Sequence, residues 1–320
     1  MLGFFNFILV SSLACLVMSS SPALAFVSGI VWGVSLLLGG YLLSRKNIIL
    51  IFGLNILLLY GLAGSSNLFF LLIFGIPSFI MGLLLAGQKG YYELQKWGML
   101  TAVLLTSMFI GMTYYYAGEA AITNTQTEID QYINESVNLS EDSEFLKLYE
   151  EQGISPEDIK SSITLAVRWM ILLLPALYSI QAILAVYLVL ILSAYISRKK
   201  RLPILSRKPF REEKMPWQFA WVIIVALSLW LWGRDAMTSQ YYIGLNLLVV
   251  AIPVTLYYGL AGLAYQWSKT ASNRRRWTLS FLILFCLVFP LAAIIFIGLL
   301  GLFDSLLDYR ELDHKKEVRR

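Results

Sequence analysis

The chain has one histidine and two cysteines in 320 residues. His314 lies in a charged tail, and Cys15 and Cys286 sit singly in apolar stretches, so neither a metal box nor a cysteine nucleophile can be assembled from them. There is no glycine-rich phosphate loop, no G-x-S-x-G turn and no H-E-x-x-H pair, which removes the usual seats of nucleotide hydrolysis and peptidase chemistry. Charge is scarce too, at 14% of residues, and no Asp, Glu, Lys or His falls near the middle of an apolar stretch. A proton or ion relay needs ionisable groups at membrane depth, so a pump is not expected. Nor is a cofactor or an enzymatic activity.

What is abundant is apolar. Hydrophobic residues make up 58% of the chain and mean hydropathy is +0.69, more than a soluble chain of this length can hide. A bilayer core of about 30 Å takes about 20 apolar residues per helix. Such stretches recur at 2–18, 24–43, 48–63, 68–87, 98–117, 168–195, 217–233, 241–266 and 278–301. The expected fold is therefore all-α, a polytopic transmembrane helix bundle of eight to nine spans in a lipid bilayer. It divides into five spans in 1–117, an acidic loop at 118–162, a long sixth span at 163–197, a basic loop at 198–216, three further spans in 217–302 and a charged tail at 303–320.

Orientation follows from the connections. Arg45 and Lys46, Lys89 and Lys96, the SRKKR run with Arg207, Lys208, Arg211 and Lys214, and NRRR after the eighth stretch make every even-numbered connection basic. Residues 118–162 carry eleven acids, from Glu119 to Asp158, against Lys147 and Lys160. Under the positive-inside rule the N-terminus is cytoplasmic in a bacterial inner membrane, the acidic loop is a small helical cap outside, and nine spans place the tail outside. SSSPALAF resembles a signal-peptide cleavage site, but MLGFFN has no Lys or Arg before it, so an uncleaved first helix is expected. Trp97, Trp169, Trp217, Trp232, Trp267 and Trp277 fall at span ends, where interfacial belts form. The formal net charge of +5 belongs to loops that face anionic headgroups, so no nucleic-acid partner is expected.

Few polar residues lie deep. Asn55, Gln181 and Asn246 are the candidate ligand-binding set: singly each reads as an interhelical hydrogen bond, and together they could line a midplane cavity for a small molecule. Trp32 sits inside Gly29-x-x-x-Gly33, a small-residue motif for close helix packing. SPED at 155–158 reads as a capped helix start, and Asn134 and Asn138 fit a glycosylation pattern. At the other end, GLFDSLLDYR sets Asp304 and Asp308 one turn apart at a helix C-terminus, where like charges repel and oppose the macrodipole. A cation must answer them. Arg168, Arg234 and Arg310 are the candidates, in an outer-face cluster that pins the last span.

The C-terminal half carries a resemblance. PFREEKMPW, with Pro209, Phe210, Arg211 and Trp217, LNLLVV with Asn246, YGLAGLA around Gly262, and GLFDSLLDYR with Asp304, Asp308 and Arg310 together resemble the YybS-like family of bacterial multi-pass membrane proteins. The chain departs from it at Ala261, where that family is expected to carry Gln. That family is distantly similar to the substrate-binding membrane subunits of energy-coupling factor transporters, which have six spans. The resemblance implies a transport-type subunit that binds a small molecule and has no ATPase of its own, with separate ATPase and membrane subunits as partners. The alternative is a non-transporting cell-envelope scaffold or assembly factor.

Overall fold

The computed structural model describes residues 2–63, 68–113, 116, 155–200, 205–235, 238–270, 272–307 and 310. The described residues form helices and turns without a strand, an all-α polytopic bundle. They fall into two compact units, Met1–Ser206 and Arg207–Arg320. The expected loop helices, Asn134 and Asn138, Asp308 and the tail beyond Arg310 lie outside the described residues.

The first unit holds α1 (Leu2–Ser20), α2 (Ala25–Leu42) and α3 (Arg45–Ala63). α4 starts at Leu68–Phe70, widens into a π turn over Leu71–Gly75 and continues as Ile76–Ala86. Pro77 explains the widening. It has no N–H to give, and the Ile76 N–H before it reaches back five residues to Leu71 O. α5 spans Tyr91–Thr113 and α6 spans Pro156–Lys199. α6 opens on the expected cap: Ser155 Oγ accepts from Asp158 N–H at 3.1 Å, and Asp158 Oδ2 accepts from Ser155 N–H at 3.3 Å. Its 44 residues give a rod of about 66 Å, far longer than the hydrocarbon thickness.

Small residues set the packing of this unit. A Cβ on Gly33 would lie 2.6 Å from Ser78 Oγ of α4 and from Val189 of α6, and one on Gly29 would lie 2.7 Å from the Phe74 ring. The Gly29-x-x-x-Gly33 motif is thus consumed inside the unit, where it lets α2 sit centrally with α1, α4 and α6 around it.

The second unit holds α7 (Gln218–Trp232), α8 (Ser239–Lys269), α9 (Ser272–Val288) and α10 (Pro290–Leu307), preceded by a 3-10 turn at Phe210–Glu212. The expected span 278–301 is two helices, broken at Phe289. Pro290 supplies the reason, since it removes an N–H and disfavours helical backbone at the residue before it. The second piece runs past the expected end and takes Asp304 into the helix.

The tightest seam joins α8 and α10. A Cβ on Gly259 would lie 1.9 Å from Ile297 O, and one on Gly301 2.3 Å from Thr255 O, so no other residue allows this approach. Further along both helices, Tyr265 Oη donates to Arg310 O at 3.1 Å. α8 and α10 therefore run in the same direction, and α9 carries the chain back between them.

Among the described residues, seven helices are long and apolar enough to cross a membrane, and three more are apolar but shorter: Leu71–Ala86, Gln218–Trp232 and Thr278–Val288.

Candidate functional site

Two groups of polar side chains stand out, one in each unit. In the first, Asn55 occupies the middle of α3 and is fully buried. Ser11, at the middle of α1 and also fully buried, donates its hydroxyl to Asn55 Oδ1 at 3.3 Å. Trp32, at the middle of α2, is 0% exposed and stacks on Phe52 at 6.4 Å; Phe52, one turn before Asn55, stacks in turn on Phe79 at 4.2 Å. Ser35, one turn after Trp32, donates to Phe7 O at 3.4 Å, and Phe7 is one turn before Ser11. These links place Ser11, Trp32 and Asn55 in one layer at mid-helix height. Asn55 Nδ2 and Trp32 Nε1 are buried there without a hydrogen-bond acceptor among the described residues. A buried donor left unpaired costs about 1–3 kcal/mol, so this layer carries a demand for an acceptor.

Gln181 is half-buried on α6, and Asn246 belongs to the second unit, where Nδ2 donates to Tyr242 O of its own helix at 2.9 Å. Asn246 is satisfied locally by that bond. The described residues contain no group of His, Cys, Asp and Glu able to hold a metal ion.

The second group lies at one end of the second unit. Asp304 pairs with Arg310, and the two side chains are 1% and 0% exposed. The same guanidinium donates through Nη1 to Arg211 O at 2.8 Å and through Nη2 to Glu213 O at 2.7 Å. Glu213 is buried in turn. Arg207 Nε donates to its Oε1 at 2.6 Å, Tyr257 Oη donates to its Oε2, and Arg207 Nη2 donates to Tyr257 Oη. The Tyr265 ring faces the Arg310 guanidinium at 5.8 Å and Lys269 Nζ at 4.5 Å. Both buried carboxylates are met by a cation within the cluster, as a buried charge requires, while Asp304 Oδ1 and Arg310 Nε are left there without a hydrogen-bond partner among the described residues.

This arrangement resolves the partner of Asp304 and corrects the face assigned to it. The expected outer-face cluster set Asp304 opposite the basic loop 198–216. Arg310 instead bonds to the backbone of that loop at Arg211 and Glu213, so both stand at the same end of the unit. Arg234 lies at the far end of α7, exposed, with its guanidinium 5.7 Å from the Trp230 ring. Arg168 is an exposed residue of the first unit. Of the quoted motif residues, Gly262 is buried on α8, and Pro209, Phe210, Arg211 and Trp217 are exposed. Ser11, Glu213, Tyr257 and Tyr265 had no signal in the sequence that set them apart. Glu213 in particular stands next to Glu212, and only the folded chain buries one at 5% and leaves the other at 43%.

Apart from Phe7 and Arg310, the residues of both groups lie within residues 8–305, and that stretch matches the model of a family described as "Predicted membrane protein (DUF2232)". The chain belongs to that family. No curated protein and no solved structure matches this DUF2232 member. As a DUF2232 protein it is an integral membrane protein, in agreement with its ten apolar helices among the described residues.

Proposed function

We propose that the chain is a small-molecule-binding membrane subunit of transport type, dependent on separate ATPase and membrane partners for energy. One observation carries this proposal: the Asn55 amide, at mid-helix height in the first unit, is 0% exposed with Nδ2 unpaired, beside an unpaired Trp32 Nε1. Two donors held dry are the kind of polar feature that orients a ligand in an apolar site. The six apolar helices of the first unit match the six-span plan of the substrate-binding subunits of energy-coupling factor transporters, to which the YybS-like resemblance led. The lack of a phosphate-binding loop supports an external energy source and a non-enzymatic role.

The proposed setting is the bacterial cytoplasmic membrane, with the basic connections and the N-terminus inside. The common direction of α8 and α10 then puts the end of α10 inside as well.

Purification from native membranes, with mass spectrometry of co-purifying small molecules and proteins, tests the proposal. A stoichiometric metabolite that is lost in Asn55→Leu, together with paired ATPases, supports it. Recovery of envelope-building proteins without a metabolite, with sensitivity at Arg207, Lys208 and Arg211 and indifference at Asn55, replaces it with a scaffold or assembly factor.

A further inference from the structure

The end of the second unit sorts its charges by sign. Its two deepest carboxylates, Glu213 and Asp304, are turned inward at 5% and 1% exposure and matched there by Arg207, Tyr257 and Arg310. Its outward side chains are Lys208, Arg211 and Lys269, with Arg211 53% exposed. Glu212 is the remaining exposed acid of the segment, 4.0 Å from Arg211. By count, residues 207–214 carry four cations and two acids; with Glu213 paired inward to Arg207, three cations remain against Glu212.

The segment is also held in place. Arg310 grips the carbonyl oxygens of Arg211 and Glu213, so both ends of the exposed turn are tied to α10, and the Phe210 ring meets Tyr257 edge-on at 5.2 Å. An exposed turn is ordinarily among the more mobile parts of a fold. Here the buried Arg310 and the half-buried Arg207 fix it. Trp217, 57% exposed, follows at the start of α7, and Phe210 is 38% exposed. Exposed tryptophan at the mouth of an apolar helix marks headgroup depth.

We propose that this turn is a headgroup site for an anionic phospholipid. Arg211 and Lys208 face the phosphate, for which a guanidinium supplies a matched pair of donors. Phe210 and Trp217 pack at the level of the glycerol backbone, and the Arg310 network keeps the turn in register with the bilayer surface. The site is independent of the small-molecule reading of the first unit. A lipid fits better than an acidic protein segment because the aromatic flank puts the cations where lipid phosphates already stand.

The test uses the full chain in nanodiscs of phosphatidylcholine alone or of an equal mixture with phosphatidylglycerol, followed by native mass spectrometry of retained lipid and by thermal unfolding. Wild type should retain phosphatidylglycerol in preference and unfold at a higher temperature in its presence. Lys208→Gln and Arg211→Gln should each cut that preference about fivefold, with unfolding in pure phosphatidylcholine unchanged because both side chains are exposed. Lys96→Gln, an exposed basic residue of the first unit, should leave the preference as it was. An equal fall in Lys96→Gln means a general surface potential and overturns the site. Equal stabilisation by inorganic phosphate, or stabilisation by polyglutamate and not by phosphatidylglycerol, overturns it too.

Discussion

Arg310 donates to the backbone carbonyl of Glu213, 97 residues earlier in the chain, while the Glu213 carboxylate is held from the other side by Arg207 and Tyr257. A guanidinium with two backbone acceptors and one carboxylate is a junction for three chain segments: the turn before α7, the end of α8 and the end of α10. Its position determines the consequences of changing any of them.

Removing the guanidinium leaves Asp304 as an uncompensated buried carboxylate. Arg310→Met should cost about 3–5 kcal/mol, the range for breaking one side of a buried pair. Arg310→Lys should recover little, because an ammonium lacks the fork that reaches Arg211 O and Glu213 O together. The double change Asp304→Leu with Arg310→Met should recover part of the loss, since two apolar groups no longer leave a charge behind. Thermal unfolding in detergent orders the four proteins; a double variant less stable than Arg310→Met contradicts the pairing.

Tyr257→Phe removes one donor from Glu213 and leaves Arg207 in place. The expected loss is about 1–3 kcal/mol, since an acceptor site on a buried carboxylate goes unmet. Glu213→Gln should cost at least as much, because it leaves Arg207 facing a neutral amide. The same unfolding measurement applies, and a neutral Tyr257→Phe would detach the tyrosine from the network.

The seam between α8 and α10 has no room for a methyl group. Gly259→Ala and Gly301→Ala should each destabilise the second unit by about 1–3 kcal/mol, the cost of overpacking against backbone that cannot step aside. Gly53 in α3 is the control: a Cβ there meets nothing within 4 Å, so Gly53→Ala should be neutral or gain about 0.5–1 kcal/mol from the helix propensity of alanine. Limited proteolysis reports on each unit separately.

Sidedness is open to direct labelling. In a background without Cys15 and Cys286, single cysteines at Lys208 and at Arg319 should react with an impermeant reagent from one side of the membrane, and one at Asp235 from the other. Labelling of Lys208 and Arg319 from opposite sides would separate the two segments that Arg310 joins.

The parts of this fold that were legible in the sequence rest on local rules. Apolar length marked α1 to α4 to within a few residues but missed the starts of α5 and α6, which lie seven residues or more ahead of the expected spans; Ser155-Pro156 with Asp158 marked the start of α6 because cap chemistry is carried by adjacent side chains. The break at Phe289 was signalled by Pro290 and overridden by an apolar run that continues on both sides of it. The partner of Asp304 was among three arginines named from charge alone, and charge could go no further. What selects Arg310 is a pair of carbonyl oxygens, at Arg211 and Glu213, and a backbone acceptor has no letter in the sequence. The same holds for Ser11: one serine among several in α1, distinguished only by the Asn55 that folding brings opposite.

The common direction of α8 and α10 has a consequence for how the protein is made. Asp304 and the Glu213 carbonyl are synthesised before Arg310, the residue that completes their bonding. A growing chain cannot close this junction until Arg310 has left the ribosome. Until then Asp304 lacks its counter-charge, and packing the end of α10 as in the finished unit would bury an unpaired carboxylate.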